Sequence, residues 1–396
     1  MPKVSQRANK VIASPIRKFL PLVLAAEKRG VEIIKLNVGD PDFDTPKQIF
    51  QAINRYHQKN LSYAPSPGIR AHVEAWVKYY STLNIRLKPE NIIPTVGGAE
   101  GILFSLIAVA DPGDEVLVFE PIYSSYKGFA AIANVKLVPI TLKIKNNFLL
   151  PPEKEILKKI NRKTKAIVLI NPDNPTGKVW SKNEINKLIR IAKKYNLFII
   201  ADETYREISF EKKPISLLKI PAIKNNAIII DSVSKKFSCP GARIGCVISY
   251  NQELMAAILK FAMIRLSAPT LEQYGLIPLL TNPKSYINKI NAEYRRRRDV
   301  TYAELKKIPG VICQKPQGAF YILAKLPITD TEDFIKFMVT KFRYHGKTVL
   351  VTPAENFYLT KGFGKDEIRI AYVLPGQKIK EGITILHEGL KKYLNK

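Results

Sequence analysis

The chain has 396 residues, 46% of them hydrophobic and 24% charged, which supports a real core and excludes wholesale disorder. Three cysteines and four histidines exclude a disulfide scaffold, show no zinc-like spacing and point to a reducing, cytoplasmic setting. Lys and Arg total 63 against 34 for Asp and Glu, a net charge of +29, but the lysines are scattered. The excess therefore reads as a Lys-rich solvated surface, and it favours a small anionic ligand over a nucleic acid.

Near the N-terminus, residues 19–26 form a short apolar run containing Pro21 and followed by Glu27-Lys-Arg-Gly30. This reads as a helix packing on the body rather than a secretory leader. No apolar run reaches the roughly 18 residues of a membrane span. Continuous apolar, β-branched runs follow at 116–119, 166–170, 197–200, 227–230 and 246–249. Unlike alternating runs, these predict strands buried on both faces of a sheet. Helical stretches lie between them, such as 181–195, where Ser181 and Glu184 form a capping box. Strands alternating with helices predict an α/β domain with a mostly parallel sheet, whose ligands bind where strands end.

The last hundred residues read differently. A polar helix over 291–305 carries Arg295 to Arg298 and is taken as a solvated face. A strand at 318–323, a helix from Glu332, and strands at 348–351 and 367–371 suggest a smaller α+β domain. The predicted division is a large domain over 46–290 and a small one over 291–396. Residues 1–45 form an arm that joins or bridges to the small domain.

Four segments carry chemistry. Gly97 and Gly98 open a buried helix in Thr95-Val-Gly-Gly-Ala-Glu-Gly101. Exposed N–H groups and the positive end of the helix dipole make an anion site there. Asn171-Pro-Asp-Asn-Pro-Thr-Gly177 follows a strand, and its two prolines and two asparagines fix hydrogen-bonding geometry beyond what a plain turn needs. Asp202-Glu-Thr-Tyr205 places a carboxylate where a buried strand runs out, which is costly unless it meets a cation; helix capping is the bland alternative. In Ser232-Val-Ser-Lys-Lys-Phe-Ser-Cys-Pro-Gly-Ala-Arg-Ile-Gly245, two hydroxyls and Arg243 form an anion cradle around an amine nucleophile, Lys235.

In this order and spacing the chain resembles the class I/II aminotransferases, fold type I enzymes dependent on pyridoxal 5′-phosphate (PLP). The resemblance runs from Leu36-Asn-Val-Gly-Asp-Pro-Asp-Phe-Asp-Thr-Pro46 to Arg369-Ile-Ala371. It implies a large domain with a seven-stranded sheet between helices, a smaller α+β domain, and a homodimer. By resemblance, Lys235 forms the aldimine with PLP and then serves as proton carrier, and Asp202 pairs with the pyridinium nitrogen. Tyr205 and Asn174 bond the ring oxygen, and Tyr123 stacks on the ring. Gly98, Ala99, Glu100, Ser232, Ser234 and Arg243 hold the phosphate, with Tyr63 reaching the neighbouring subunit's phosphate. Arg369, with Asn174 and Gly39, grips the substrate carboxylate.

The resemblance is greatest to the bacterial and archaeal aspartate aminotransferase branch, which implies ping-pong transfer from L-aspartate to 2-oxoglutarate. Aromatic, alanine or methionine donors stay open, since no residue matches a partner for a second carboxylate. The stretch after the Gly pair also lacks the Lys or Arg that some relatives carry. A same-fold β-lyase or cyclopropane-carboxylate synthase, or a regulator that kept the fold, are the remaining readings.

Overall fold

A computed structural model describes residues 2–11 and 18–395, leaving parts of the N-terminal arm (1 and 12–17) outside the described residues. Among the described residues the strands are β1 (Glu32–Lys35), β2 (Ile92–Val96), β3 (Glu115–Glu120), β4 (Lys136–Thr141), β5 (Thr164–Ile170), β6 (Phe198–Asp202), β7 (Ala227–Ser232), β8 (Ile244–Ile248), β9 (Ile312–Cys313), β10 (Tyr321–Lys325), β11 (Lys347–Leu350), β12 (Thr352–Pro353) and β13 (Glu367–Ala371).

Seven strands form one sheet in the order β2-β8-β7-β6-β5-β3-β4. Only β8 runs antiparallel to its neighbours. The continuous apolar runs are explained by helices on both faces. Leu117, Ile167, Ile199 and Ile229 pack with Trp76 and Leu188 on one side. Their alternating neighbours Val116, Val168, Ile200 and Ile228 pack with Leu106 and Ile258 on the other. The register aligns Ile170 with Asp202, Ser232 with Gly245, and Val96 with Ile244. Thus the ends of β2, β6 and β7 and the start of β8 converge at one edge of the sheet, where the sequence places its functional segments.

The C-terminal part holds an antiparallel sheet, β12-β13-β10-β9, beside the parallel pair β1-β11. The helix Leu20–Glu27 packs here by Val23 and Ala26. The helix expected at 291–305 spans Lys284–Lys306 and hands over from one core to the other: Ile287 lies in the large core, Ile290 and Tyr294 in the smaller.

The reading of Arg295 to Arg298 as a solvated face needs correction. Arg296 is exposed and pairs with Glu293, but Arg297 and Arg298 are buried. Tyr294, Arg297, Arg298, Thr301 and Leu305 share the inward face at helical spacing. Burial of the two guanidiniums is balanced by Asp42 and Glu293 for Arg297 and by Glu211 for Arg298. No described helix is long and apolar enough to cross a membrane.

Candidate active site

The converging strand ends open into a cavity of about 610 Å³ that reaches across to β10 and β13. Its wall carries Gly39, Gly98, Ala99, Tyr123, Asn174, Asp202, Tyr205, Ser232, Ser234, Lys235, Arg243 and Arg369, from every segment singled out in the sequence.

One end of the cavity is built for an anion. The helix Gly97–Val109 begins there, directly after β2. Gly97 has φ +68°, and a Cβ on it would lie 2.5 Å from Arg243 Nη2. A Cβ on Gly245 would lie 2.7 Å from the Gly97 carbonyl carbon and 2.9 Å from the Gly98 nitrogen. Glycine at both positions therefore lets β8 lie against the helix start and brings Arg243 over it. Ser232 caps the one-turn helix Val233–Lys236, its Oγ accepting from the Ser234 N–H at 3.2 Å and donating to Ser234 Oγ at 2.9 Å. Backbone N–H groups, two hydroxyls and a guanidinium form the donor set a phosphate takes.

Lys235 stands beside this cradle, its Nζ donating to the Gly39 carbonyl at 2.8 Å. Its pKa is lowered to about 8, chiefly by burial; Asp40 opposes the shift, and Arg369 and Arg243 add to it. Asp202 ends β6 deep in the wall. Its hydrogen bonds come from neutral groups, the Thr204 N–H at 3.1 Å and the Tyr126 hydroxyl at 3.3 Å. Burial pushes its pKa up, so a cationic partner such as a protonated ring nitrogen would be welcome there.

At the far end, β13 presents Arg369, which is fully buried. One arm donates to Asn174 Oδ1 at 3.2 Å and the other to the Asn37 carbonyl at 2.7 Å, while Nε has no partner. The rings of Tyr321 and Phe357 flank it at 4.3 and 5.1 Å. Tyr205 shares a 3.0 Å hydrogen bond with Tyr321. A Cβ on Gly39 would fall 1.9 Å from the Tyr321 hydroxyl, so only glycine lets this backbone cross the cavity.

Two expected residues stand apart. Glu100 does not line the cavity; its carboxylate turns back to accept from the Val96 N–H at 2.9 Å, with Arg265 3.8 Å away. Tyr63 is 78% exposed and away from the wall of its own chain. Sequence reasoning gave no role to Asp40, Tyr126, Thr204 or Tyr321. Asp40, Thr204 and Tyr321 lie within segments named above and Tyr126 three residues beyond Tyr123, but periodicity says nothing about which residue of a loop faces a ligand.

A phosphate cradle, an amine, a buried carboxylate without a cation and flat aromatic walls together fit PLP, and Arg369 remains for a carboxylate. The family described as aminotransferase class I and II matches residues 31–386. The chain is 31% identical to the aspartate aminotransferase of Pyrococcus horikoshii, over 98% of this chain and 97% of that one. Among solved structures it is similar to an aspartate aminotransferase mutant from Thermus thermophilus (TM-score 0.89, 26% identity, 98% of this chain and 100% of that). It is also similar to an alanine aminotransferase from Pyrococcus furiosus (TM-score 0.89, 28% identity, the same coverage). A fold, a cavity and a sequence pattern that agree over nearly the whole length place this chain in the class I and II aminotransferases, which are PLP-dependent enzymes.

Proposed function

We propose that this enzyme moves the α-amino group of an L-amino acid to a 2-oxo acid, with L-aspartate and 2-oxoglutarate as the leading pair. The observation that carries the reading is Arg369: a buried guanidinium with an unpartnered Nε, across one cavity from the low-pKa amine of Lys235. When bound, the cofactor supplies an aldehyde that condenses with amines and a ring that withdraws electrons from the substrate Cα.

The chain's own residues do the rest. Arg369 and Asn174, with the Gly39 backbone, hold the α-carboxylate and so fix which Cα bond faces Lys235. Lys235 Nζ takes the Cα proton and would return it to the cofactor's former aldehyde carbon; its pKa, lowered to about 8 in the empty site, leaves a fraction of the amine unprotonated near neutral pH. Asp202, held by Thr204 and Tyr126, keeps the ring nitrogen protonated. Tyr205 and Asn174 bond the ring oxygen and Tyr123 covers the ring face. Gly98, Ala99, Ser232, Ser234 and Arg243 take the phosphate, with Glu100 contributing its backbone. Exposed Tyr63 serves the phosphate of a second copy of the chain, in a homodimer. The two cores meeting inside the helix Lys284–Lys306 support a division near residue 290 into domains of 46–290 and 291–396, the arm 1–45 joining the latter. Three buried free cysteines suit a reducing, cytoplasmic setting.

The donor is suggested by the names of relatives such as the Pyrococcus aspartate aminotransferase. One observation favours a second reading, a donor with an uncharged side chain (aromatic, alanine or methionine). The cations on this chain's cavity wall are Lys235, Arg243 and Arg369, each already given a role, and Glu100 stands after the Gly pair. The test is the visible spectrum of the PLP-loaded protein. L-Aspartate should bleach the band and 2-oxoglutarate restore it. Bleaching by alanine, methionine or an aromatic amino acid alone would install the second reading. A band that no amino acid alters would refute transamination.

A further inference from the structure

Lys236 follows Lys235 in the one-turn helix Val233–Lys236, yet the two side chains have separate surroundings. Lys235 lines the cavity, whereas Lys236 does not and is fully buried. Lys236 Nζ lies 2.6 Å from Asp231 Oδ2 and 3.0 Å from the Tyr79 hydroxyl, with the Trp76 ring centroid at 5.3 Å.

Asp231, also fully buried, spans the turn. Its Oδ1 accepts from the Ser232 N–H at 2.7 Å, where the turn begins, and its Oδ2 accepts from Lys236, where the turn ends. The same Oδ2 accepts from Tyr80 at 2.8 Å and Arg206 Nη2 at 3.3 Å. Arg206 follows Tyr205 directly; it donates to Glu203 at 2.9 Å and to the Tyr79 hydroxyl at 2.8 Å. Tyr79 in turn donates to Glu207 at 2.5 Å. A largely buried, charged cluster thus joins the segment bearing Asp202 to the turn bearing Lys235, and anchors both to the helix Arg70–Ser81.

Buried ion pairs of this kind are poor stabilisers, because apolar residues of similar volume do as well or better. Their benefit is geometric: charge-assisted bonds are directional where apolar packing is not. We propose that Lys236, Asp231 and Arg206 are positioning residues, a brace that fixes the Lys235 amine and the Asp202 carboxylate relative to each other across the cofactor. The proposal rests on the reading of Lys235 as the cofactor's amine.

The test is the double variant Asp231→Asn/Lys236→Met, which removes both charges together, with Lys236→Arg as the conservative control. Three readouts are taken on PLP-loaded protein: thermal unfolding, the pH midpoint of the visible band, and the split of kcat from KM. The double variant should unfold cooperatively, keep KM within about threefold, lose about tenfold or more in kcat and show a displaced midpoint. Lys236→Arg should recover most of both effects. A folded double variant with an unchanged midpoint and kcat overturns the proposal. Should the double variant not fold, Asp231→Asn alone decides by the same two quantities. Lys235→Ala separates the layers: if it retains the band and turnover, the reading of Lys235 fails, whereas if it loses them while the double variant is unaffected, only the brace fails.

Discussion

Replacing Arg369 by Lys tests the carboxylate site at the level of a single fork. Arg369 is fixed from both sides, since β13 pairs it with Leu323 of β10 and Thr352 of β12. Its arms bond Asn174 and the Asn37 carbonyl, and the Tyr321 ring covers one face. Lysine keeps the positive charge but offers a single point where a carboxylate meets two parallel N–H groups. Losing one charge-assisted hydrogen bond costs about 1.5–3 kcal/mol net. At about 1.4 kcal/mol per decade, this predicts a loss of roughly 10- to 150-fold in kcat/KM. Because the carboxylate is held in ground and transition states alike, most of the loss should fall on KM. The assay is steady-state transamination at matched PLP content, beside an amine that lacks the α-carboxylate and should react equally with both proteins. A kcat/KM for the amino acid within about threefold of the parent would refute the assignment.

Lys235→Ala should fold, with a cooperative thermal transition as the check, but should show no measurable turnover in the same assay. In cofactor-free parent protein, the rate of PLP capture should rise about tenfold per pH unit up to about 8 and then level, because the neutral amine is the nucleophile; a rate still rising at this slope above pH 9 would contradict the lowered pKa. Asp202→Asn should separate stability from function. Burial raises the Asp202 pKa, so the cofactor-free fold favours the protonated acid and loses stability as pH rises from the unfolded value through the folded one. The Asn variant should therefore melt no lower than the parent at pH 7 without cofactor, yet lose about 100-fold or more in kcat when loaded. Gly245→Ala should lower stability by about 1–3 kcal/mol in urea unfolding, since its Cβ would press on the backbone of Asp231, Gly97 and Gly98.

The sheet was legible because its strands are buried on both faces, which writes them as unbroken runs such as Ala166 to Ile170. The helix Lys182–Lys194 announced itself by its Ser181/Glu184 capping box, present in the structure with both reciprocal bonds. Site residues were legible where a backbone constraint accompanies the chemistry, as with Gly97, Gly245 and the prolines around Asn174. Asp40 and Tyr321 carry no such mark. They reach the cavity because β10 and the N-terminal segment cross it, a tertiary fact with no local period. Arg297 and Arg298 show the opposite failure. Charge alone reads as solvated, and the carboxylates that make burial tolerable include Asp42 and Glu211, distant in sequence.

The same distant placement governs the amine. Lys235 is depressed first by burial and then by Arg369 and Arg243, which face it from two ends of one cavity. Both arginines are anion sites in the proposed reading. A phosphate at Arg243 and a carboxylate at Arg369 would each cancel a charge that now disfavours an ammonium at Lys235. On that reading, filling the site would remove two of the charges that lower the Lys235 pKa. In the proposed reading, the empty site offers the neutral amine that takes the cofactor, and each bound anion would strengthen that amine as a base. Neither state needs a conformational switch. The change would follow from placing one buried amine between two guanidiniums whose proposed ligands are the two anions of the reaction.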